Sequence, residues 1–140
     1  MVKAFFLAGV LLLSLEAAPA WRETKSFTLK KDEVAKIVIK TISPKLERVL
    51  FWRWTLYTDK KLVVHEKFDR VVGQHILDLD THQAFRKRLL GAVKSEQDVP
   101  YALIVFKKFD DVNKTAQFDF FLIDRENRVE VDYMSKEAKQ

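Results

Sequence analysis

From residue 26 onward, apolar and polar residues alternate with period two over most of the chain. The clearest run is Val49 to Tyr57. Leu50, Trp52, Trp54 and Leu56 share one phase, and Val49, Phe51, Arg53, Thr55 and Tyr57 share the other. Aromatic and β-branched residues suit a pleated surface. The pattern therefore predicts a strand from about Leu46 to Tyr57, with its tryptophan face at the centre of the core.

The flanking segments follow the same rule. Trp21 to Lys25 reads as a polar arm, and Ser26 to Lys30 as a short edge strand. In Val34 to Ile42, Ala35, Ile37 and Ile39 alternate against Lys36 and Lys40, which favours a strand. A helix starting at the Asp32 cap is the alternative there. Ser43-Pro44 ends that element, because the residue before proline avoids helical dihedrals. Thr58 to Lys61 is a polar turn without glycine, so its type is not set by the sequence. Leu62 to Phe68 returns as a hairpin arm, with Leu62, Val64 and Phe68 on one face and Val63 and His65 on the other. After an Asp69-Arg70 break, Val71 to Leu79 is a strand in which Gly73 marks a bulge or bend.

His82 to Leu90 reads best as a helix. Asp80 or Thr81 caps it, Phe85 and Leu89 lie four residues apart, and Gly91 stops it. A strand is the alternative. Ala92 to Pro100 is a loop. Tyr101 to Phe109 and Ala116 to Ile123 are strong strands, Val129, Val131 and Tyr133 alternate on a last one, and the charged tail from Ser135 to Gln140 frays. The sum is a mainly β chain of about seven or eight antiparallel strands with one possible short helix, arranged as a β-sandwich or partly closed barrel.

The first twenty residues break this pattern. Met1-Val2-Lys3 is a short positive start, Ala4 to Leu15 is apolar apart from Gly9 and Ser14, and Ala18-Pro19-Ala20 has the form of an A-x-A cleavage site. The apolar run, about 12 residues, is too short to span a bilayer. Residues 1–20 are thus expected to be a signal peptide and 21–140 a single exported β-rich domain with no membrane span. The chain has no cysteine. That excludes disulfides within the chain, thiolate metal sites and a lipobox anchor, and it leans the location towards a periplasm or secretion.

Charge adds little. The net charge is +5 with a pI near 9.4, but the charges are interspersed, as on a solvated surface. The densest basic cluster, Arg86-Lys87-Arg88, is a candidate for an anionic ligand. Export makes nucleic acid an unlikely partner. Asp78, Asp80 and His82 would project from one face of an extended segment and offer metal ligands, although His75 falls on the opposite face. His65-Glu66 reads as an exposed strand pair whose members face opposite ways. Asn113-Lys114-Thr115 is a glycosylation triplet on a loop. No Gly-x-Ser-x-Gly elbow, Ser-x-x-Lys triplet or phosphate-cradling loop is present.

Arginine between aromatic residues is a composition enriched at interfaces, which makes Phe51, Arg53 and Tyr57 the leading candidate surface. The first functional expectation is a non-catalytic binding or assembly module that engages a protein or envelope component through a sheet face or edge strand. The second is a carrier whose aromatic residues line a cavity for a small apolar ligand. The third is a metal-dependent enzyme built on Asp78, Asp80 and His82. No cofactor is expected.

Overall fold

A computed structural model describes residues 21–42, 44–90 and 99–134. The expected export segment, the tail from Ser135 and most of the Ala92 to Pro100 loop lie outside the described residues. Among the described residues, nine strands form two antiparallel sheets packed face to face, open at their edges and not closed into a barrel. They are β1 (Trp21–Lys30), β2 (Ala35–Thr41), β3 (Leu46–Thr58), β4 (Lys61–Phe68), β5 (Val71–Leu77), β6 (Ala84–Arg88), β7 (Tyr101–Asp110), β8 (Thr115–Ile123) and β9 (Val129–Tyr133). One sheet has the order β1-β8-β7-β6 and the other β5-β4-β3-β2-β9. The first and last strands pair with β8 and β2, so both ends of the described chain are tied into sheets. No helix in the described residues is long and apolar enough to cross a membrane.

The β-sandwich expectation holds, and the Val34 to Ile42 segment holds the strand β2, Ala35–Thr41, not a helix. Three local expectations are corrected. The His82 to Leu90 segment is not a helix: Ala84–Arg88 pairs with β7, and Phe85 lies opposite Ile104. Pairing along β7 satisfies its backbone and buries Phe85, which outweighs the capping signal at Asp80. The supposed arm Trp21–Lys25 is the first half of β1, held by β8. Gly73 makes no bulge, since β4 and β5 pair in unbroken register from Leu62↔Leu77 to Phe68↔Val71.

The core lies between the sheets and is rich in aromatic residues. Trp52 meets Phe27 edge-on at 5.0 Å and Phe118 at 6.3 Å. Such edge-to-face pairs suit the ring quadrupoles. Trp54 is buried, and its indole Nε1 donates to the Leu29 carbonyl at 2.8 Å, linking β3 to β1 across the two sheets. Both hairpins flanking β4 turn on two residues with positive φ: Asp59 (52°) and Lys60 (61°), then Asp69 (49°) and Arg70 (72°). Type I′ turns require this geometry, and here it is reached without glycine. Thr41 Oγ1 donates to the Pro44 carbonyl at 2.6 Å and accepts from Leu46 N at 3.2 Å, which closes the β2–β3 turn at the proline break.

Candidate functional site

The pleat of β3 does not run unbroken. Trp54 pairs with Val64 but Leu56 pairs with Val63, so Thr55 is an extra residue in a bulge. Before it, Leu50, Trp52 and Trp54 face the core and Phe51 and Arg53 face out. After it the phases exchange. Leu56 is half exposed, and Tyr57 turns inward to stack on Phe109 with centroids 3.8 Å apart. A second register shift in β7, between Phe106 and Lys108, turns Phe109 inward to meet it. The structure therefore keeps Phe51 and Arg53 together and separates Tyr57 from them.

Phe51 and Arg53 line an open groove of about 680 Å³ on the outer face of the five-stranded sheet, with His65, Lys67, Val72 and Gln74. Arg53 Nη1 lies 3.8 Å from Asp32 Oδ1, and Lys36 Nζ lies 5.6 Å from the Phe51 ring centroid. His65 Nε2 is 3.0 Å from Thr55 Oγ1. The groove ends at β5, an edge strand whose partner in the sheet is β4.

Strand β5, Val-Val-Gly-Gln-His-Ile-Leu, has no lysine, arginine, acid or proline. Val71, Val72 and Ile76 are 61%, 73% and 53% exposed. The other edge strands are charged: β1 carries Lys25 and Lys30, β6 carries Arg86, Lys87 and Arg88, and β9 carries Glu130 and Asp132. Soluble proteins blunt their edges with such charges, with proline or with bulges, because an unpaired row of N–H and C=O groups recruits other strands. Among the described residues, β5 is the edge without any of these devices.

Beneath the groove, on the core side of the same strands, lies a buried ionic cluster. Glu66 occupies an apolar position of β4 between Val64 and Phe68 and is 4% exposed. Its Oε1 accepts from Lys87 Nζ of β6 at 2.7 Å and lies 3.6 Å from His75 Nε2 of β5. His75 stacks on Phe85 with centroids 4.3 Å apart. Burial lowers the His75 pKa below its ordinary 6.5, and the Glu66 carboxylate opposes that only in part. Gly73 faces Glu66, and a Cβ there would collide with Oε1. This close approach is what the glycine permits. The cluster joins the two sheets at their β5 and β6 edges. The expectation that Glu66 is exposed is corrected. One charged residue in an alternating strand reads as solvated, and only a cation brought from a distant strand makes its burial tolerable.

The other candidates do not converge. In Arg86-Lys87-Arg88 the pleat turns Lys87 inward to Glu66. Arg86 instead lies 3.7 Å from the Tyr101 ring centroid, and Arg88 Nε donates to the Leu90 carbonyl at 3.1 Å. Asp78 folds a turn: its Oδ1 accepts from the amides of Asp80 at 2.9 Å, Thr81 at 2.6 Å and His82 at 3.3 Å. Among the described residues, no group of three or more His, Asp or Glu side chains is arranged to hold a metal ion. Asn113 lies in the β7–β8 turn and donates from Nδ2 to Asp110 at 2.8 Å. Neither the Glu66 cluster nor the bare edge was singled out by sequence reasoning. The lack of charge across Val71 to Leu77 is the signal that finds the edge. Comparison of the chain with protein families, curated proteins and solved structures returns no match.

Proposed function

We propose that the protein is a non-catalytic exported module, periplasmic or secreted, that binds a protein by strand addition to β5. The observation that carries this is the unguarded edge: seven residues in continuous register, without charge or proline, with Val71, Val72 and Ile76 exposed beside a groove. An extended segment laid along β5 would satisfy its outward backbone groups, and its alternate side chains would lie against Val72, Gln74 and Ile76. Arg53 and Phe51 then border the site on the groove side. The export signal read in residues 1–20 sets the compartment.

The alternative reading, a carrier of a small apolar ligand, has weaker support. The aromatic residues expected to line a cavity are packed edge-on or tilted against one another, with Trp52, Phe106, Phe118 and Phe120 fully buried.

The test is a photo-crosslinking residue at position 74 in the producing cells, with position 130 on the opposite edge strand as control. A protein adduct at 74 and not at 130 is the expected result. No adduct at 74, with the protein folded and exported, would refute strand addition.

A further inference from the structure

We infer that the strand received by β5 is β5 of a second copy of this chain, running antiparallel about a two-fold axis at Gln74. The inference rests on the strand-addition reading and goes beyond it by naming the occupant. Phe68 and Val71 flank a two-residue turn, so they form a hydrogen-bonded pair, and the pairs alternate from there. The N–H and C=O groups of Val72, Gln74 and Ile76 therefore point to the open edge. A two-fold at Gln74 sets Gln74 opposite Gln74 of the second copy and Val72 opposite its Ile76. About six inter-chain hydrogen bonds form in that register.

This register also pairs the whole strand. Its midpoint is Gln74, so all seven residues from Val71 to Leu77 find partners. A shift of the centre by one residue brings Arg70 or Asp78 opposite an apolar side chain and matches Gln74 with Val72 or Ile76. With the axis at Gln74, apolar meets apolar and amide meets amide.

Charge does not bar this occupant. Two copies, each of net charge +5, can meet only where their cations stay apart. Lys67 shares a row with Val72, and Val63 shares one with Ile76. Across the two-fold, Lys67 of one copy therefore lines up with Val63 of the other, and the two lysines sit on different rows. The β6 edge on this side carries Arg86 and Arg88 outward and adds no self-complementary surface, so the pairing is confined to β5. Such an edge is about 24 Å long. It buries less than a standard interface, which makes the dimer weak and reversible.

The experiment is sedimentation equilibrium on protein purified from the exported fraction, from about 10 μM to about 1 mM. Wild type is expected to pass from monomer to dimer over this range. Gln74 is exposed, so Gln74→Lys and Gln74→Glu leave the fold intact, as unchanged tryptophan emission would verify. Each charge meets its like at the two-fold and weakens association roughly tenfold or more. An equimolar mixture of the two variants regains wild-type association. A wild type that stays monomeric throughout, or a dimer indifferent to both substitutions, would overturn the second copy as occupant. A crosslink from position 74 to a different protein would do the same and leave strand addition standing. The absence of any crosslink at 74 would remove both.

Discussion

Replacing Gly73 with alanine tests how the β5 edge is held to the core. In an ordinary strand, alanine is preferred to glycine by about 0.5–1 kcal/mol. Here the new Cβ would collide with Glu66 Oε1, which accepts from Lys87 Nζ at 2.7 Å. Glu66 is bonded to Lys87 and its side chain is only 2% exposed, so a shift that relieves the collision disturbs that pair. Breaking a buried pair from one side costs about 3–5 kcal/mol. After subtracting the intrinsic gain, Gly73→Ala should destabilise the protein by about 2–4 kcal/mol. Urea unfolding followed by the fluorescence of buried Trp52 and Trp54 measures this, as a fall in midpoint of roughly 1–2 M. The same substitution in a Glu66→Ala background meets no carboxylate and should be neutral or stabilising by up to about 1 kcal/mol. Equal cost in both backgrounds would refute the reasoning, since the penalty would then not arise from Glu66.

Three further outcomes are expected. Lys60→Gly places the favoured Asp-Gly pair in the β3–β4 turn, where Lys60 has φ 61°, and should raise stability by about 0.5–1 kcal/mol in the same urea assay. Donors from Thr81, then the His82 and Asp80 amides, hold the exposed Asp78 carboxyl at about 2, below its ordinary 3.8. Its folded pKa is the lower one, so the contribution is complete above pH 3.8 and fades as pH falls through about 2; Asp78→Ala should flatten that part of the acid-unfolding curve. His75 also has a folded pKa below its ordinary 6.5, and as a base it charges on protonation. Stability should therefore fall as pH drops from 6.5 through the folded value, and His75→Phe should remove that dependence in thermal melts across the same window.

Much of the fold was legible because alternation reports which side of a strand is buried. Trp52 and Trp54 were placed on a core face by period two alone. The misreadings share a cause: a feature that depends on a partner far along the chain. The Thr55 bulge is specified by pairing with β4 and by the matching shift in β7, so Leu56 and Tyr57 exchanged faces without a local signal. The first half of β1 looks like a polar arm, because its hold comes from β8. Glu66 reads as solvated until Lys87, 21 residues on, is folded against it. The hairpin turns were hidden by chemistry, since Asp59-Lys60 and Asp69-Arg70 take left-handed backbone without glycine. Of the candidate surface, Phe51 and Arg53 share one outer face and line the same groove. The edge beside them was passed over because β5 was read for its glycine and histidine, not for its missing charges.

Hydrogen exchange along β5 tests strand addition most directly. Mass spectrometry would compare peptides spanning Val71–Leu77 and Val129–Tyr133, the two edges of one sheet, in dilute purified protein and in protein captured from the exported fraction. Slowed exchange is expected in β5 of the captured protein, with β9 unchanged. Identical β5 exchange in both samples, or protection appearing at β9 instead, would contradict it.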